Sequence, residues 1–158
     1  MGLRERVFRK PSRETVVWTF VVVMLLAAQW PMLKGRYYQW SGAAPPASAI
    51  AWYTDADVAL AEARRTGKPV LVDFAADWCP PCITMKHDVW PDPRVVAAVR
   101  AGYVPLLIDI DAQPAFAERY AVYGIPTVKV LDEDGAVIRE ASFLGASGMA
   151  RFLDGDGA

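Results

Sequence analysis

Val70-Leu71-Val72-Asp73-Phe74-Ala75-Ala76-Asp77-Trp78-Cys79-Pro80-Pro81-Cys82 holds both cysteines of the chain, two residues apart. An apolar run of strand type leads into the pair, and a helix-compatible run from Ile83 leads out. A strand end fixes the first sulfur at the protein edge. A helix start brings N–H groups and a positive dipole end beside it, which stabilises a thiolate. That order suits a dithiol–disulfide switch. Two cysteines at this spacing cannot form a structural staple framework.

Downstream, the helix from Cys82 reads to about Val89 and is interrupted by Trp90-Pro91-Asp92-Pro93. Asp92 then caps a short helix with Pro93 at its first position. Tyr103–Ile110 is a second apolar strand, followed by a helix from Pro114 to near Tyr120. Strand 127–131, the turn Asp132-Glu133-Asp134-Gly135 and strand 136–141 form a hairpin. A last helix covers about Ser147 to Leu153. Upstream, Thr54 reads as the cap of a helix from Asp55 to about Thr66, stopped by Gly67. Val70–Ala75 is apolar on both faces, as a central strand covered by helices should be. Alternating strands and helices followed by a hairpin give an α/β fold, a mixed central sheet with helices on both faces.

The chain begins differently. Residues 4–13 carry five positive charges, and residues 16–33 carry none of either sign. As a helix these eighteen residues reach about 27 Å, close to a bilayer's hydrocarbon thickness. Trp18 and Trp30 lie near the two ends, where indole rings favour the interface. The basic flank places the N-terminus in the cytoplasm and the cysteines on the far, periplasmic side of a cell inner membrane crossed once. The rival is a cleaved leader: Ala47-Ser48-Ala49 has the form of a cleavage site, though far beyond the apolar run. Lys34 to Ala51 has no clear period and reads as a linker, semi-extended over the small, proline-containing residues 41–49. Residues 1–51 hold seven Lys/Arg against two acids, leaving ten against sixteen for the rest of a chain of net charge −1. A domain of net −6 argues against nucleic acid as a partner.

Trp78-Cys79-x-Pro81-Cys82 after an apolar strand, with Gly124-Ile125-Pro126-Thr127 some forty residues on, resembles thioredoxin over about residues 52–154. Lys68-Pro69-Val70, Ala76-Asp77-Trp78-Cys79 and Asp92-Pro93-x-Val95 are similar to the membrane-anchored periplasmic branch of that family, notably the C-terminal domain of DsbD. The resemblance implies a thioredoxin-like fold over residues 52–158, behind a basic cytoplasmic arm (1–15), a transmembrane signal anchor (16–33) and a linker (34–51). It implies a protein-disulfide oxidoreductase that needs no cofactor and no metal.

Cys79 precedes the helix and is the expected nucleophile, with Cys82, one turn on, resolving the mixed disulfide. Pro80 and Pro81 lack N–H groups, so the Cys82 N–H is the nearest donor to Cys79. The thiolate is then only moderately stabilised, which favours a reducing or intermediate potential. Asp73 is costly inside a two-face-buried strand unless protonated or partnered. By resemblance it moves the proton of Cys82. The family's lysine near this acid is replaced at the matching position by Leu107, so desolvation should raise the Asp73 pKa further. By resemblance too, Pro126 is a cis proline that exposes the Ile125 backbone to a substrate strand. Trp78, Ile125 and the Gly145-Ala146 loop then form an apolar docking surface, although Trp78 reads equally as core. His87, the single histidine, reads as a solvated helix residue, and no four-ligand zinc set can be assembled.

The expected role is reduction of disulfides in exported proteins, supplied with electrons by a membrane-embedded donor. Two rivals keep the same motif: an oxidase or isomerase, and a non-enzymatic copper chaperone or binding module, since two thiolates bind Cu(I).

Overall fold

Six consecutive buried side chains make Val70–Ala75 (β1) a strand that only the centre of a sheet can accommodate. The computed structural model describes residues 12–155. In it β1 pairs in parallel with β2 (Val104–Asp109) and antiparallel with β3 (Thr127–Leu131), which pairs antiparallel with β4 (Val137–Ala141). The four-stranded order is β2-β1-β3-β4. Tyr53 bridges to Leu106 along the outer side of β2, donating to Pro105 O and accepting from Leu107 N, and so covers part of that edge.

Alternation along β1 sends its side chains into two cores. Val70, Val72 and Phe74 pack with α3 (Ala56–Thr66) and α6 (Pro114–Arg119), including Leu60, Ala63 and Tyr120. Leu71 faces α4 (Pro80–Asp88), α5 (Pro93–Gly102) and α7 (Ala146–Asp154), through Met85, Val95, Val99 and Met149. Asp73 shares the face of Leu71, toward α4.

The helices start where short polar side chains satisfy the first N–H groups. Asp92 accepts from Arg94 N ahead of Pro93 in α5. For α3 the cap is Asp55, which accepts from Asp57 N and Val58 N, rather than Thr54. Thr54 instead lends its carbonyl to Gln113 Nε2 at 3.2 Å. The αL residue Gly67, at φ 66°, ends α3.

The chain divides into two units, Met1–Trp30 and Pro31–Ala158. The first contains α1 (Arg13–Ala28), capped by Ser12, with no buried side chain; the expected basic arm lies mostly outside the described residues. No single helix among the described residues is long and apolar enough to cross a membrane. By length and composition, α1 together with α2 (Trp30–Ser41) is, with a break at Gln29 between them. The expected continuous helix over 16–33 is therefore two helices.

In the second unit, the expected linker is helical from its start at Lys34 up to Ser41. Beyond it the chain is extended but not free. Ser48 donates to Trp90 O at 3.0 Å, Ile50 is buried in the α4–α5–α7 core, and Trp52 meets Trp90 edge to face at 5.1 Å.

Candidate active site

Cys79 is the N-cap of α4 and is disulfide-bonded to Cys82, with Cα atoms 5.3 Å apart. Pro80 and Pro81 fill the first two helical positions, where a missing N–H costs no helical bond. Helix α4 starts at this point because proline dihedrals suit its first turn and the Cys79 carbonyl accepts from Ile83 N. With both prolines silent, the Cys82 N–H is the backbone donor that reaches Cys79 Sγ, at 3.3 Å. Cys79 and Cys82 are only 2% and 4% exposed and form a small cluster with Ala75, Leu107 and Ile125.

The Ile125–Pro126 peptide is cis. Thr127 Oγ1 donates to Gly124 O at 2.7 Å and Ser142 Oγ to Pro126 O at 3.2 Å, so the loop is held from both sides. Ile125 thus stands beside the cysteines. Gly145 is the N-cap residue of α7. Trp78, readable from sequence as core or surface, is 60% exposed. Its indole N–H donates to Asp111 on the loop after β2, at 2.7 Å.

Asp73 is buried, 4% exposed, and stands opposite Leu107 across the β1–β2 pair. Desolvation drives its carboxyl up to about 7, against opposing pulls from the Trp90 indole and the Lys86 ammonium. Trp90 Nε1 is buried and does not attain hydrogen-bond geometry to any group, so its pull on Asp73 is that of a nearby dipole. A cavity of about 220 Å³ is lined by Asp73, Leu107, Lys86 and Trp90, with Pro45 and Pro46 at its edge. A second, of about 160 Å³, is lined by Ala75, Leu107, Lys86, Asp77 and Asp109. Lys86 belongs to both and is paired with Asp77 at 2.8 Å. The cation near Asp73 therefore comes from α4. Sequence reading passed over Lys86 and Trp90, yet a helical period places Lys86 one turn beyond Cys82 on the same face.

His87 is not a solvated histidine. Its ring stacks on Tyr38 at 3.8 Å with planes 6° apart, and burial pushes its pKa down. Among the described residues no group of three or more His, Cys, Asp or Glu side chains is placed to hold a metal.

A disulfide at a helix N-terminus beside the residue of a cis-proline loop, on a sheet that carries a buried acid, has the parts to exchange electrons in pairs and protons singly. Comparison with known proteins agrees with this geometry. The thiol:disulfide interchange protein DsbD 1 of Pseudomonas aeruginosa is 36% identical over 123 residues, 70% of this chain and 21% of that protein. The chain thus spans about a fifth of such relatives. The oxidised C-terminal domain of DsbD from Neisseria meningitidis superposes with a TM-score of 0.57 at 26% identity, covering 66% of this chain and 98% of that one. A thioredoxin from Thermus thermophilus gives a TM-score of 0.61 at 27% identity, covering 68% and 87%. The family model described as thioredoxin-like matches residues 51–133. With that match laid over this sheet, disulfide and cis-proline loop, the chain belongs to the thioredoxin-like family.

Proposed function

We propose that this protein is a membrane-tethered thiol–disulfide oxidoreductase that reduces disulfides of exported proteins. The observation that carries the reading is the Cys79–Cys82 disulfide at the N-terminus of α4, on the sheet face that also carries the buried Asp73.

In the dithiol form, Cys79 thiolate attacks one sulfur of a substrate disulfide. A Cys79–substrate bond forms, the substrate S–S bond breaks, and one substrate thiolate leaves. Asp73, with a pKa of about 7, accepts the proton of Cys82. Cys82 then attacks Cys79 Sγ, the second substrate thiol leaves, and two electrons have passed to the substrate. A membrane-embedded dithiol donor restores the pair by the reverse exchange. Trp78, Ile125, Pro126 and Gly145 serve as the surface on which the substrate strand lies.

The reducing direction is supported by the double proline, which leaves the Cys82 N–H as the donor at Cys79 Sγ. The tether is supported by the uncharged segment 16–33 behind a basic arm, within a helix pair of sufficient length. The same basic flank supports a catalytic domain on the periplasmic side.

The test is reduction of insulin by the full chain with a dithiol as electron source. Activity abolished in Cys79→Ser, and a substrate trapped as a mixed disulfide by Cys82→Ser, is the expected result. Turnover that survives Cys79→Ser contradicts the assignment.

A further inference from the structure

Residues 31–41 do more than connect. We propose that this part of α2 is a wall beside Cys79 that selects disulfides by size, an inference that rests on the exchange reading above. The segment grips the redox motif on both flanks of the nucleophile. Before it, Gln39 Nε2 donates to Asp77 O at 3.4 Å. After it, Gly35 is buried against the Pro80 backbone, so closely that a methyl group added at Gly35 would overlap the Pro80 carbonyl. Farther along α4, Thr84 Oγ1 donates to Pro31 O at 2.7 Å. Lys34 Nζ pairs with Asp88 at 2.6 Å, and Tyr38 donates to the same carboxylate at 3.0 Å while stacking on His87.

These contacts explain an oddity of the sequence. A glycine in a helix interior costs stability relative to alanine, and here it permits a backbone approach that no side chain allows. Cys79 itself is 2% exposed, packed with Ala75, Leu107 and Ile125, and α2 flanks it through its neighbours Asp77 and Pro80. Exchange requires a disulfide sulfur to reach Cys79 Sγ. With α2 seated, a small disulfide or a thin extended segment can enter from the Ile125 side. A folded protein brings bulk on both sides of its disulfide and meets α2. The wall is liftable, because its ion pair is partly solvated and such pairs contribute little. Local opening of a peripheral helix costs far less than global unfolding.

The test uses the full chain in detergent, reduced, in a Cys82→Ser background so that Cys79 is the reporting thiol. Its alkylation rate is measured with N-ethylmaleimide and with a polyethylene-glycol maleimide of several kilodaltons. Gly35→Leu unseats α2 without harming it as a helix, since leucine is the better helix former. Lys34→Ala/Tyr38→Ala removes contacts without any overlap and decides the matter if Gly35→Leu distorts α4. The rate ratio of small to large reagent should fall about tenfold in both variants as the local opening cost is lost. An unchanged ratio in the double variant overturns the wall. Alkylation does not depend on turnover, so a chain that reduces nothing yet shows the falling ratio refutes the exchange reading and leaves the wall standing.

Discussion

At the scale of single residues, the proposed proton transfer rests on Asp73. Its ionised form is destabilised by burial, so its folded pKa of about 7 stands above the ordinary carboxylate value of about 3.9. Between those values the native state keeps a proton that the unfolded state has lost. Stability is therefore highest below about pH 4 for this group and falls as pH rises toward about 7, levelling above it. Asp73→Asn removes the titration, so its thermal unfolding should lack this fall and exceed the parent at about pH 8 by on the order of a few kcal/mol. Parallel pH–stability curves for the two proteins would contradict the assignment. The same substitution should slow resolution of the mixed disulfide by roughly tenfold to a hundredfold and erase the rate increase near pH 7, read by quenched single-turnover gels. The strand pattern made Asp73 legible in the sequence, and the family resemblance set Leu107 beside it. Lys86 and Trp90 were not, because their approach to Asp73 depends on how α4 and the segment after it fold over the sheet. Trp78 was ambiguous for a similar reason: an exposed indole is accounted for by Asp111, which is 33 residues away.

Among the elements, β1, β3 and α4 followed from apolar runs and turn residues, and each observed boundary lies within a residue or two of its expectation. Helix α2 did not. Its sequence has no amphipathic period and carries Gly35 in the middle, so local propensity argues against a helix. The contacts to Asp77, Pro80, Thr84, His87 and Asp88 override that preference, and no local signal encodes them. A different tertiary decision sits on β3. Lys129 is buried on the sheet, and its amine reaches Glu140 on β4 at 2.5 Å. Removing the acid alone leaves a largely buried cation without its partner. Glu140→Gln should therefore lower stability by about 1 kcal/mol or more, a cost tempered because Glu140 is itself partly solvated. Lys129→Met should be close to neutral. Urea unfolding of both variants checks this, and equal losses would contradict it.

The whole molecule couples a thioredoxin-like domain to a helical N-terminal segment whose composition suits a bilayer. Full-length protein should remain with the membrane fraction through alkaline extraction, and removal of residues 1–33 should release it. A full-length protein washed off at high pH contradicts the tether. Charge asymmetry and the apolar run made this organisation legible, whereas the break at Gln29 was passed over although Pro31 marks it, since a proline lacks the N–H that a continuous helix needs and crowds the turn before it. The proposed reductive function turns on one quantity, the reduction potential of the Cys79–Cys82 couple, measured by equilibration of the full chain with glutathione or a dithiol buffer. The account predicts a value near about −270 mV, as for thioredoxin, and a value near about −120 mV, as for DsbA, contradicts it.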